Sequence, residues 1–143
     1  DLRALPEKLT DWVHLDAAKV QVFADATEDW QFIHLDDVRA ASETPFGGAV
    51  VHGFLTLSLL SMMSYQVMPK LRGLRASINY GFDRIRFVSP VRVGSRVRGR
   101  FVVASVDEGD GWLAIHWDVT IEVEGKERPA LAAQWITRLE MET

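Results

Sequence analysis

The chain has no cysteine, which excludes a disulfide scaffold, a thiolate zinc or iron–sulfur site and a cysteine nucleophile. It also lacks an excess of base. Sixteen Lys and Arg stand against 20 Asp and Glu, a net charge of −4, so the total supports no nucleic-acid partner. The first residues, Asp1-Leu2-Arg3-Ala4-Leu5-Pro6, do not combine a basic start with an apolar run; no secretory signal is read there, and a cytoplasmic, reducing location is expected. One stretch, residues 44–69, is long enough and free enough of formal charge to raise a membrane span. Pro45, Gly47 and Gly48 break its first part, and His52, Thr56, Ser58, Ser61, Ser64 and Gln66 make the rest too polar for a lone span. It reads instead as a helix buried within the fold, with no membrane partner. No repeat, low-complexity tract or linker interrupts the sequence, and one domain over residues 1–143 is the economical reading.

What is present is a change of period partway along the chain. Asp16 suits the N-cap of a helix over about 17–26, whose Ala17, Val20, Phe23 and Ala24 share one face. Trp30 to Leu35 reads as loop or short extended chain, and Asp36 can cap a short helix through Ala41 that ends at the Pro45-Phe46-Gly47-Gly48 turn. The apolar helix follows at about 52–65. After Pro69 the period becomes two: Leu113, Ile115, Trp117, Val119, Ile121 and Val123 alternate with Ala114, His116, Asp118, Thr120 and Glu122. Val97 to Val106 and the segment with Leu131, Ala133, Trp135 and Leu139 alternate likewise, with short turns at residues 108–111 and 124–127 suited to antiparallel neighbours. Helices first and strands later make an α+β pattern, a hydrophobic helix covered by an antiparallel sheet.

Three places could carry chemistry. In Asp29-Trp30-Gln31-Phe32-Ile33-His34 a carboxylate and an imidazole lie five apart, a pair able to grip one proton or one water for acid–base work. The plainer alternative is that Asp29 finishes a helix and His34 is packed ahead of a cap. In Gly47-Gly48-Ala49-Val50-Val51-His52-Gly53 a glycine opens the apolar helix, where free backbone N–H groups and the helix dipole suit a developing oxyanion; close helix-to-sheet packing would ask for the same glycine. His116, beside Asp118 on a polar strand face, reads as solvent-exposed. Between Arg72 and Arg100 there are eight arginines, no lysine and one acid, Asp83, a local +7 against −11 elsewhere. The alternating rows Arg96, Arg98, Arg100 and Arg84, Arg86 could bind phosphate or could be a solvated face. Three of the four histidines have no ligand-spaced partner, so no metal is called for.

Taken together, Phe23-Ala24-Asp25-Ala26-Thr27-Glu28-Asp29, Ile33-His34-Leu35-Asp36, Pro45-Phe46-Gly47, Val51-His52-Gly53-Phe54-Leu55-Thr56, Ile78-Asn79-Tyr80-Gly81 and Arg86-Phe87-Val88-Ser89-Pro90-Val91-Arg92-Val93-Gly94 resemble the MaoC-like (R)-specific enoyl-CoA hydratases, especially their nodulation-protein-N-like branch. The resemblance runs from about Trp12 to Leu139. It implies a hot-dog fold, dimerised so that sheets join into a homodimer, and syn hydration of trans-2-enoyl thioesters to (R)-3-hydroxyacyl thioesters, with the reverse dehydration. Asp29 and His34 match the family's catalytic pair and Gly53 its oxyanion donor. Ser61, His52, Asn79 and Arg86 fall among the implied substrate-binding residues, and some of the arginines would meet the coenzyme A phosphates. No cofactor is implied beyond the coenzyme A or acyl-carrier protein carried by the substrate. Gln31-Phe32 stands where many members have Asn-Pro, a departure in the loop that holds the pair. The rivals are a hot-dog thioesterase and a non-catalytic acyl-binding subunit of a heteromeric dehydratase.

Overall fold

The computed structural model describes residues 1–143. A 3₁₀ turn at Leu2–Ala4 and two short strands, β1 (Lys8–Leu9) and β2 (Val13–His14), lead into α1 (Ala17–Thr27), whose N-cap Asp16 accepts the Lys19 N–H. The helix ends where Glu28 turns into the left-handed region at φ 60° and the Asp29 N–H returns to the Ala24 carbonyl, a Schellman-type closure. Then come α2 (Phe32–Leu35), α3 (Asp37–Glu43, capped by Asp36) and the long α4 (Gly53–Val67). The remainder is sheet: β3 (Leu74–Phe87), β4 (Arg96–Gly109), β5 (Trp112–Val123) and β6 (Leu131–Met141).

One antiparallel sheet runs β1-β4-β5-β6-β3, with β2 also on β4. The expected turns join β4 to β5 and β5 to β6, with Gly111 and Gly125 at φ 75° and 78°, a conformation glycine adopts without penalty. The period-two reading holds residue by residue in β5 and β6; in β4 it holds through Phe101, and a register shift between Val103 and Ser105 then moves burial to Val106. Ile115, Trp117, Val119 and Ile121 of β5 and Leu131, Trp135 and Leu139 of β6 are almost fully buried against Leu55, Leu60 and Met63 of α4. Trp117 sits directly opposite Trp135 across the strands; its indole N–H donates to Thr137 Oγ1 at 2.9 Å, and Phe101 meets it edge to face. A helix held in a curved antiparallel sheet is the hot-dog arrangement.

Two expectations need correction. Trp30 to Leu35 is not all loop, for Phe32–Leu35 makes one helical turn closed by the His34 N–H on the Gln31 carbonyl and the Asp36 N–H on the Phe32 carbonyl. Nothing in these four residues breaks a turn, and the turn aims His34 back toward Asp29. Nor is α4 buried all round: Leu55, Leu60, Met63 and Val67 face the sheet, while Phe54 and Tyr65 are exposed. Strand β3 is equally bare. It pairs only with β6, bends at three register shifts, and leaves Ile78, Tyr80 and Phe87 open. No helix is long and apolar enough to cross a membrane.

Candidate active site

The α1 closure and the α2 turn bring Asp29 and His34 together. Asp29 Oδ2 lies 4.0 Å from His34 Nε2, with the carboxylate half-exposed and the imidazole buried. Asp29 Oδ1 takes the Gln31 N–H at 3.4 Å, so backbone supplies part of the hold that the absent proline would have given. The His34 ring is anchored from behind by a 2.6 Å contact between Nδ1 and the Val50 carbonyl. A carbonyl only accepts, so Nδ1 carries the hydrogen, and in the neutral ring Nε2 faces Asp29 as a bare acceptor. Burial lowers the His34 pKa below its ordinary value, against the raising effect of the Val50 hydrogen bond; neighbouring His52 lowers it further and Asp29 raises it. The 4.0 Å gap is too wide for a direct hydrogen bond. A water held at about 2.8 Å from each atom would see them roughly 90° apart, an angle its two hydrogens can nearly span.

Val50 ties this pair to the rest of the site. Its N–H donates to the Ile33 carbonyl at 2.8 Å, and residues 49–51 are laced to residues 91–93 through Val51 N–H on Val91 O and Val93 N–H on Ala49 O. Val50 lines a cavity of about 490 Å³ shared with Val51, Gly53, Phe54, Thr56 and Phe87. Gly53 opens α4 there, and neither its N–H nor that of Phe54 has an acceptor within the chain. Two free amides at the positive end of a 15-residue helix suit an oxyanion. The cavity touches Gly53 directly and the acid–base pair only through Val50.

The other expected residues are distributed differently. Ser61 and Asn79 line a second, smaller pocket with Phe54, Phe82 and Trp135, where Asn79 Oδ1 accepts the Trp135 indole N–H at 2.7 Å. His52, expected on the substrate, is 2% exposed and lies behind His34, outside both pockets. Arg86 shares with Arg84 and Asp118 a depression on the sheet that meets the Gly53 cavity only at Val88. Arg96, Arg98 and Arg100 do share a face, and carboxylates engage all three there. They are engaged by Glu124 at 3.2 Å, by Glu122 at 3.0 and 2.7 Å, and by Glu7 at 2.9 Å. His116 is bonded to Asp107 at 3.0 Å on the sheet surface. Donor atoms of Asp29, His34 and His52 fall within 4.8 Å of one another, yet the two rings are stacked. Their lone pairs lie in nearly parallel planes, so one ion would sit far out of both, a poor geometry for imidazole ligation.

The helix in its curved sheet defines a hot-dog protein, with a carboxylate and an imidazole joined through Val50 to the cavity at the helix's free amides. Residues 5–126 match the MaoC like domain, and the chain belongs to that MaoC-like dehydratase family. It is 51% identical over 134 residues to nodulation protein N of Rhizobium leguminosarum bv. viciae, covering 93% of this chain and 83% of the relative. It is 44% identical over 130 residues to 3-hydroxyacyl-thioester dehydratase Z of Mycobacterium tuberculosis, covering 90% and 85%. The (R)-hydratase of A. caviae involved in PHA biosynthesis superposes with a TM-score of 0.76 at 28% identity, over 92% of each chain.

Proposed function

We propose that the chain catalyses the reversible syn addition of water to a trans-2-enoyl-CoA, giving the (R)-3-hydroxyacyl-CoA. The observation that carries this reading is the 4.0 Å spacing of Asp29 Oδ2 and His34 Nε2, two acceptors placed to hold the two hydrogens of one water. Its lone pair is then free to attack C3 of the enoyl group. As the O–C3 bond forms, the C2–C3 π electrons move toward the thioester carbonyl, and the enolate oxygen is met by the Gly53 N–H. One water proton passes to His34 Nε2, whose imidazolium is steadied by ionised Asp29, and the same proton is delivered to C2 on that face as the enolate collapses. Atoms balance as one water added, and syn geometry follows from one pair serving both bonds. Removing an oxyanion donor typically costs ~10²–10³ in rate, and general acid–base catalysis contributes about 10²–10⁴.

The apolar cavity beside Gly53 suits the thioester and its chain, and dehydratase and hydratase relatives support the substrate class. A homodimer fits the same reading, because a second copy would cover the open edge of β3 and the bare Phe54, Tyr65 and Tyr80. The test is absorbance of the conjugated thioester on adding purified protein to crotonyl-CoA, followed by chiral assay of the product. Loss of absorbance with (R)-3-hydroxybutyryl-CoA formed supports the reading. Release of free CoA would establish a thioesterase, and tight binding with no turnover an acyl-binding subunit.

A further inference from the structure

We propose that His52 is a positioning residue for the acid–base pair, locking Asp29 through its backbone and His34 through its ring. The proposal rests on the reading of Asp29 and His34 as the pair that holds the water. His52 Nε2 lies 3.0 Å from the Asp29 backbone carbonyl. That oxygen only accepts, so Nε2 carries a hydrogen and donates it. The flat of the same ring lies against His34, with centroids 3.7 Å apart and planes 22° from parallel, while Phe23 packs against it at 4.9 Å. One side chain therefore reaches both members of the pair.

The cost of this arrangement identifies it. With Nε2–H spent on Asp29, Nδ1 of the neutral ring is a lone pair, and it is buried with no hydrogen-bond partner. Buried polar atoms are nearly always satisfied, so an orphan needs a compensating reason. A phenylalanine here would stack without an orphan but could not hold the Asp29 carbonyl. A glutamine would hold the carbonyl but not stack. Histidine does both. Held between the Val50 carbonyl at its edge and the His52 ring on its face, His34 has little freedom to swing Nε2 away from Asp29.

The stack also bears on charge. A second imidazole lying face to face disfavours protonation of His34, and His52 is among the causes that lower the His34 pKa, after burial. Other charged groups close by are occupied: Asp36 caps α3 on the Arg39 N–H, Asp37 holds the Ala49 N–H and Arg92, and Asp25 of α1 takes the Trp30 and Gln21 side chains. Asp29 and His52 are the titratable neighbours that act on His34.

The experiment uses the full chain, wild type and as His52→Phe and His52→Gln, with long-range ¹H–¹⁵N NMR of the histidine rings and steady-state hydration of crotonyl-CoA. In wild type the neutral tautomers should be Nε2–H at His52 and Nδ1–H at His34; an Nδ1–H tautomer at His52 overturns the proposal, since the bond to Asp29 would be absent. In both variants the His34 titration midpoint should move up, and the acid limb of the kcat profile with it, while kcat falls by about 10–10²-fold and KM stays within a factor of two or so. Folded variants with an unmoved His34 midpoint, or with KM rising and kcat intact, overturn it. The NMR arm uses no turnover, so inactive wild-type protein would sink the hydratase reading alone.

Discussion

A Cβ placed on Gly53 would lie 2.9 Å from Cε1 of the Phe87 ring. The aromatic ring at the end of β3 thus packs on the first residue of α4, at the amides proposed to meet the enolate oxygen. The close packing expected of this glycine is present, and the free N–H groups that an oxyanion donor needs lie at the same residue. Gly53→Ala should leave a folded protein, because Phe87 is half-exposed and can yield. Its displaced ring should lower kcat/KM by on the order of 10–10². Adding Phe87→Ala should return part of the loss, and a double variant no better than the single would dissociate the two residues.

Asp29 and His34 should behave as one unit. If both hold the same water, removing either already forfeits its activation, so Asp29→Asn, His34→Ala and the double variant should lose comparable factors, about 10²–10⁴ each. Additive losses in kcat/KM, with melting curves showing folded protein, would place the two residues in separate tasks.

The buried imidazole also predicts a pH dependence of stability. Burial holds the His34 pKa below 6.5, its ordinary value. The unfolded chain therefore binds more protons than the folded one in the window just under that value. Stability is full above it and declines as pH falls through the window. Denaturant midpoints should show a stability loss on acidification that His34→Gln reduces. A wild-type curve flat through this window contradicts the assignment.

The arginine row should separate into two classes. Arg96, Arg98 and Arg100 are tied to acids, so their replacement by Ala should leave KM for a CoA thioester unchanged and cost little stability, exposed ion pairs being weak. Arg84 and Arg86 have no such partner and line an open depression; their replacement should raise KM, more at low salt than at high. Burial alone would push the Glu122 carboxyl up, but hydrogen bonds from Arg100 and Arg98 outweigh it and hold its pKa below the usual range. That contribution is present above the unfolded value and disappears as pH falls through the depressed one. Equal KM effects across both groups would contradict the division.

A bare β3 edge predicts self-association. Light scattering at micromolar concentration should give twice the chain mass, and Tyr80→Lys, placed on the open strand, should halve it. A monomeric wild type refutes the prediction.

How much of this was legible before the fold was known depends on the range of each interaction. The Asp16 cap, the α4 start and the three strands of the meander declare themselves through near neighbours, since caps and pleats act over two to four residues. Asp29 and His34 stand out by spacing, and the family resemblance singles them out. The α2 turn does not, because four residues with no side-chain cap carry no start signal. β3 is equally quiet, its large side chains being open in the single chain rather than alternating. Invisible too are the pairings at long range: Glu7 with Arg100, or His52 stacked on His34 from 18 positions away. Nothing local distinguishes an arginine that will find a carboxylate from one that will not.

Val50 has a place in both halves of the site: its carbonyl fixes the His34 ring and the residue lines the cavity beside Gly53. A bulky acyl chain seated in that cavity would press on the very residue from which the imidazole hangs. On the proposed reading, fit and turnover are mechanically linked, as two arms of one lever. Acyl groups that differ only in girth should register in kcat as well as KM, and a Val50→Ala chain should flatten that discrimination while leaving the smallest substrates almost untouched.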